Sequence, residues 1–380
     1  MTQQMRWVDR SRITCDWVCP RKRYWQYEWK GRGIVPSTTQ LELWLGTTIH
    51  DALAAIARAH LTGAVDIDLI AREAQKQIFD SLTAAVAGEV PESDAIDFAK
   101  EQGALVEGIV RGFYRQVWPR LIAQYPRIIA VEQEMIIKLA DGLTFMARLD
   151  LILATEDDEW VYVEYKSSSS KKREWIDQWS TAVQLHSSIK AVEETLGHPV
   201  QQVIVQGLYK GYISYGKQNS PFCYAYVRGG NPPFTQDQAR YDYAAGYRRQ
   251  PVWERPGGVA QWVAEMPEEI LTDQFMATPP IFVKEELVEA FMRQVVRREQ
   301  DIACAVDAIQ HAQQTVSASA SIDEDMVMDA TFPQHFEQCQ PGWGKGCAYR
   351  RLCHGRVDDP LSSGFEWREP HHAPEVYEDA

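Results

Sequence analysis

No stretch of the 380 residues approaches the about 18 consecutive apolar residues that a membrane-spanning helix needs, which excludes an integral helical membrane protein. The opening residues, Met1-Thr2-Gln3-Gln4-Met5-Arg6, are not followed by the apolar core of a secretory signal, so the expected compartment is the cytoplasm. Gly-x4-Gly-Lys-Ser/Thr occurs nowhere, so no P-loop motor is expected and any strand unwinding has to come from a partner. An overall excess of basic charge is missing too. The net charge of −14 argues against binding nucleic acid through bulk electrostatics. Internal repeats are absent, and a composition of 45% hydrophobic and 24% charged residues excludes a disordered chain or a coiled-coil rod.

Cysteine is scarce and odd in number, with seven residues at positions 15, 19, 223, 304, 339, 347 and 353. In a long chain without an export signal this argues against a disulfide framework and for thiols kept for metal. Cys223 and Cys304 stand alone in strand and helix patterns and read as core residues. Cys339, Cys347 and Cys353 lie close together, and three thiols need a fourth ligand to complete a zinc site or a cubane iron–sulfur cluster. The candidates are Cys15 and Cys19, more than 300 residues away.

Local charge departs from the average. Residues 1–35 hold eight Lys or Arg against three Asp or Glu. Within them Arg21-Lys22-Arg23-Tyr24-Trp25-Gln26-Tyr27 interleaves cations with aromatics, which suits phosphate contact with base stacking. It equally fits a solvated charged face with aromatics beneath it. The last 24 residues carry seven acids and one Arg and read as a disordered acidic tail.

Hydrophobic periodicity divides the chain into four parts. Residues 1–126 are helical, with apolar residues at helical spacing over 41–63, 67–87 and 95–123. Residues 127–230 form the core, with strands expected at 127–138, 144–154 and 160–165, a helix at 174–196, and strands at 201–208 and 222–227. Residues 231–356 are again helical, with 284–314 the longest candidate, and residues 357–380 are the tail. The order β-β-β-α-β-β with helical additions at both ends is one mixed α/β core.

That core carries the chemistry. Asp150 stands among Leu and Ile late in the second expected strand, where a carboxylate needs compensation. Glu164 and Lys166, two apart in the third strand, share a face, and a hairpin pairing brings Asp150 to them. Two carboxylates this close need a cation, and hard oxygen ligands favour Mg²⁺ or Mn²⁺. An Asp–Lys–Glu salt-bridge cluster fits the same pattern. His50, in Gly46-Thr47-Thr48-Ile49-His50, lies at the margin of an apolar helix stripe, as either a core-edge histidine or a ligand.

The series Gly-x-x-Ile-His50, a Glu in the first strand, Asp150, Glu164-x-Lys166 and Gln184 on the next helix resembles the RecB-type branch of the PD-(D/E)xK nucleases, over about residues 10–355. The CRISPR-adaptation exonucleases and AddB-type nuclease subunits belong to that branch. The resemblance implies a restriction-endonuclease-like fold and metal-dependent hydrolysis of DNA at ends or on single strands, in recombination, repair or replication, with a helicase as a possible partner. It implies that Asp150, Glu164, His50 and the backbone carbonyl of Tyr165 bind Mg²⁺ or Mn²⁺, that Lys166 positions the attacking water, and that Gln184 orients the lysine or the DNA. The branch often continues as Gln-x-x-x-Tyr, whereas here Ser188 follows. Glu132 and Glu134 lie on one strand face, and the choice between them stays open. For the thiols the resemblance implies a 4Fe–4S cluster on Cys19, which precedes Pro20, together with Cys339, Cys347 and Cys353; zinc is the alternative. Arg21, Lys22 and Arg23 then lie beside the cluster as DNA contacts. The other class of protein that fits is a non-catalytic, nuclease-like DNA-binding subunit, against which the intact Asp150, Glu164 and Lys166 speak.

Overall fold

The computed structural model describes residues 6–37, 41–85, 91–169, 173–181, 183–214, 217–227, 248–314, 324–340, 346–357, 359–370 and 372. The three-strand meander is present. Strand β3 (Arg127–Ala140) pairs antiparallel with β4 (Leu143–Ala154) through the turn at Gly142, whose φ of 74° is open to glycine at no steric cost. Strand β5 (Trp160–Ser168) returns antiparallel to β4, and β6 (Val200–Tyr209) runs parallel to β5 after a helical crossover.

A strand with no clear sequence signal completes this sheet. Strand β1 (Arg6–Asp9) runs parallel to β4, from Arg6↔Leu143 to Asp9↔Met146. Along that edge β4 therefore has two partners. Its start pairs with β1 and its end, from Leu151, pairs with β5. The stretch between them, Ala147–Asp150, is a fork in the sheet. Helix α1 (Arg10–Val18) begins at this fork, capped by the Asp9 side chain, which accepts from the Arg12 N–H at 2.7 Å.

Helices cover both faces. The short helix α2 (Pro20–Arg23) and strand β2 (Ile34–Pro36) precede α3 (Leu41–Leu61), α4 (Ile67–Ala85), α5 (Glu92–Gln116) and α6 (Trp118–Gln124). Ile49, Leu53 and Ile56 of α3 and Ile109 and Phe113 of α5 pack on Leu151, Leu153, Val161, Val163 and Tyr165. The opposite face, including Ile152 and Tyr162, packs on Ile189 and Val192 of α8 (Val183–Leu196) and on Val288 and Phe291 of the long helix Glu285–Gln314. The alternation of Val161, Val163 and Tyr165 with Trp160 and Tyr162 is the period of two that a strand buried on both faces requires. Each such fully buried Leu, Ile or Phe contributes about 2 kcal/mol.

Five expectations need correction. The helix expected over 95–123 breaks at Val117, just before Pro119, and the one expected over 174–196 is split into α7 (Arg173–Asp177), a 3-10 turn and α8. Beyond the hairpin of β7 (Tyr212–Ser214) and β8 (Lys217–Asn219), strand β9 (Tyr224–Val227) lies outside the central sheet and pairs with β10 (Arg248–Pro251). The edge beside β6 is taken by β11 (Phe275–Ala277) and β12 (Ile281–Phe282). Cys304 is exposed rather than in the core, whereas Cys223 is buried as expected. The tail is not disordered throughout: β13 (Phe365–Trp367) pairs antiparallel with β2, and Arg368 is buried over the Tyr27 ring. Residues 373–380 lie outside the described residues, as does the expected boundary at 230/231. Among the described residues no helix is long and apolar enough to cross a membrane.

Candidate active site

The sequence-derived acidic residues meet at the fork. On α3, Ile49 is fully buried and the next residue, His50, sits at the rim of the apolar stripe, facing β4. Its Nδ1 lies 3.1 Å from Asp150 Oδ1. The Tyr165 backbone N–H donates to Asp150 Oδ2 at 2.6 Å, and the Tyr165 ring meets the imidazole edge-on. Both carboxylate oxygens of Asp150 are thereby oriented. Burial alone would lower the His50 pKa, but the adjacent Asp150 charge raises it above the ordinary histidine value. Burial would likewise raise Asp150, yet His50, Lys166 and Arg10 hold it down to about 2.

Of Glu132 and Glu134, it is Glu132 that lies beside Asp150 and His50. The β3–β4 ladder runs Val131↔Leu151 and Gln133↔Leu149, so Glu132 lies opposite Asp150. Glu132 has a φ of 46°, a left-handed conformation that costs about 1–3 kcal/mol for a residue other than glycine. This kink separates it from Glu134. Ligand atoms of Glu132, His50 and Asp150 lie within 4.8 Å of one another. Burial and the Asp150 charge raise the Glu132 pKa. Glu134 instead meets His372 at 2.5 Å. A half-buried group of two carboxylates and one imidazole is a donor set suited to a divalent cation.

Glu164 is fully buried but stands apart from that trio. Strand parity puts it on the face of Tyr162, under α8. Its Oε1 is ion-paired with Lys166, and its Oε2 accepts from the Tyr162 hydroxyl and, at 2.9 Å, from Arg10 Nη1. Arg10 Nη1 also lies 3.3 Å from Ser188 Oγ. Ser188, at the position where the RecB-type pattern has Tyr, thus enters the network through Arg10. Tyr162 was legible as the i−2 neighbour of Glu164; Arg10 had no signal beyond the general basic excess. The backbone of Gln184 belongs to α8, but its side chain lies outside the described residues.

A family model described as the PD-(D/E)XK nuclease superfamily matches residues 11–354. The chain belongs to the PD-(D/E)XK nuclease superfamily. Comparison with individual curated proteins gives no match. For a PD-(D/E)XK nuclease the mixed sheet between helical layers is the expected restriction-endonuclease-like fold, and phosphodiester hydrolysis on DNA is the expected chemistry.

The second site of this nuclease is a cavity of about 380 Å³ whose lining includes Cys19, Cys339, Cys347 and Cys353. Cys15 is not among the lining residues; its thiol faces Gln26 Oε1 at 3.7 Å. Burial and neighbouring thiols raise Cys353 to about 11, and burial with Cys347 and Cys19 raises Cys339. The lining also includes Lys22. Arg21 and Arg23 are not available to phosphate as expected from the sequence. Arg23 is fully buried between Glu28 and Glu299, and Arg21 donates to the Phe332 carbonyl and Asp329.

Proposed function

We propose that the protein is a metal-dependent DNA exonuclease of the RecB-type branch, acting at DNA ends or on single strands. The observation that carries this reading is the convergence of His50, Glu132 and Asp150 beside the Glu164–Lys166 pair at one open fork of the sheet. The donor set fits Mg²⁺ or Mn²⁺, with His50, Glu132 and Asp150 as ligands and the Tyr165 carbonyl as a further one, while Glu164, engaged by Lys166, Tyr162 and Arg10, supports the lysine instead. When bound, the ion supplies Lewis-acid polarisation of the phosphate and a lower pKa for water.

The chain's own residues do the rest. The Tyr165 N–H and His50 fix the two oxygens of Asp150. Lys166, about a quarter exposed, reaches the open side of the fork, where its ammonium holds the attacking water and offsets charge as the bond to phosphorus forms. Glu164 keeps that ammonium oriented. Gln184 adds to the orientation of the lysine or the DNA, as in the family pattern.

In the second cavity Cys19, Cys339, Cys347 and Cys353 hold a 4Fe–4S cluster that joins the two ends of the chain. Four thiols lining one cavity are a donor set that suits a cysteine-ligated cluster or a zinc ion, and the resemblance to the RecB-type branch favours the cluster. The cluster serves as a staple, and a helicase or recombination partner supplies unwinding.

The test is protein purified without air, assayed with Mn²⁺ or Mg²⁺ on end-labelled linear and on circular DNA. Mononucleotides or short products released from linear DNA only, with about four irons per chain, are the expected result. Equal cleavage of circular DNA overturns the exonuclease reading. Colourless protein with one zinc per chain overturns the cluster and leaves the nuclease reading intact.

A further inference from the structure

We propose that Arg10 is a positioning residue for cleavage, holding the Glu164 carboxylate by one oxygen so that the other keeps the Lys166 ammonium in place. This rests on the reading that Glu164 and Lys166 serve hydrolysis.

The topology puts Arg10 at the fork. Strand β1 ends at Asp9, opposite Met146, and β5 joins β4 only from Leu151. Arg10 is the first residue after β1, so its side chain enters the gap between the two strand partners. There one guanidinium nitrogen, Nη1, reaches Glu164 Oε2 at 2.9 Å and the Tyr162 hydroxyl and Ser188 Oγ at 3.3 Å each. It thus ties α1 to β5 and α8. Arg10 also occupies the first turn of α1, where the helix dipole disfavours a cation. The carboxylate partner compensates for this placement.

The consequence concerns the two oxygens of a fully buried carboxylate. Arg10 and Tyr162 together occupy Oε2, which leaves Oε1 for Lys166. Without Arg10, Lys166 is, among the described residues, the one cation left in contact with Glu164, and the carboxylate is free to turn and draw the ammonium further inward. The water-positioning amine is then spent on charge balance. Arg10 is the residue immediately before the stretch matched by the family model.

The experiment compares wild type, Arg10→Ala, Arg10→Lys and Glu164→Gln on end-labelled single-stranded DNA with Mn²⁺, each variant first checked for its thermal midpoint and iron content. Arg10→Ala is expected to lower kcat about 10- to 100-fold with KM little changed, as for other groups that orient a catalytic residue. Millimolar methylguanidinium should restore part of that loss in Arg10→Ala and do nothing for Glu164→Gln. Arg10→Lys, which keeps the charge without the fork, should fall between wild type and Arg10→Ala. If Arg10→Ala does not fold, the Arg10→Lys kcat decides: a wild-type value overturns the proposal, and a loss with unchanged KM supports it. A folded Arg10→Ala at wild-type kcat beside an inactive Glu164→Gln overturns the role of Arg10 alone, as does a loss that no guanidinium compound rescues. Full activity of Glu164→Gln overturns the underlying assignment of the active site.

Discussion

Arg10 and Arg23 are both guanidinium groups bonded to buried carboxylates, yet their surroundings differ. Arg10 meets Glu164 with its side chain 23% exposed, at the open fork of the sheet. Arg23 meets Glu28 and Glu299 with none of its side chain exposed, beneath the long helix Glu285–Gln314. A half-open ion pair leaves neighbouring groups such as Lys166 reachable by substrate. A closed one fixes chain segments to each other and reaches nothing else. The difference teaches that a basic run is not a DNA-binding surface by composition alone. In Arg21-Lys22-Arg23 two of the three cations point inward, and the cation nearest the candidate chemistry comes from outside the run.

The largest effect expected from breaking this comparison is at the open site. Asp150→Ala, Glu164→Ala and Lys166→Ala should each lower cleavage about a thousandfold or more while the chain stays folded at the assay temperature. A Lys166→Ala variant cleaving at wild-type rate would remove the active-site assignment.

At the closed site the effect should fall on stability. Arg23→Ala leaves Glu28 and Glu299 buried without their shared cation, and breaking such a pair costs about 3–5 kcal/mol. Denaturant unfolding measures it. A change below about 1 kcal/mol would mean that Arg23 is replaceable by water and that the contrast with Arg10 is one of degree.

The same pair sets a pH dependence. Burial would raise Glu28, but Arg23 and Arg6 hold it down to about 2 in the folded chain. A depressed folded pKa stabilises above the unfolded value of about 4.3, and this contribution is lost as pH falls from there towards 2. It amounts to about 3 kcal/mol at neutral pH. Glu28→Gln should flatten the stability-against-pH curve between about pH 4.5 and pH 2. An unchanged acid limb would show that the carboxylate is not held ionised by Arg23.

The smallest contrast is between two residues of one strand. Glu132→Ala should weaken Mn²⁺ binding about tenfold, whereas Glu134→Ala should leave it within a factor of two or so. Titration followed by Mn²⁺ spectroscopy reads both. Equal effects would undo the distinction drawn from the left-handed backbone at Glu132.

Much of the nuclease core was legible because its residues come from neighbouring segments. Strands β3, β4 and β5 follow one another through short turns, and apolar alternation with the Asp141-Gly142 turn marks them. Once that meander is read, the nearness of Asp150 to Glu164-x-Lys166 follows from antiparallel geometry. His50 was legible as the polar edge of a helical stripe. Glu132 was legible only as one of a pair with Glu134, because period-two alternation assumes extended backbone, and a positive φ sets it apart.

The amino-acid sequence by itself determined the meander, the helical layers, the superfamily and the carboxylate–lysine pair, since each rests on local periodicity or short spacing. The tertiary structure decided what depends on distant segments meeting. It brought β1 alongside β4 and Arg10 to Glu164, chose Cys19 over Cys15 for the thiol cavity, turned Arg21 and Arg23 inward, faced Cys304 to solvent and paired the tail strand with β2. None of these leaves a local pattern. Closing a loop of more than 300 residues costs little more entropy than closing a short one, so chain separation gives no sign of which ends will meet. Packing, ion pairing and the shape of the assembled core make that choice.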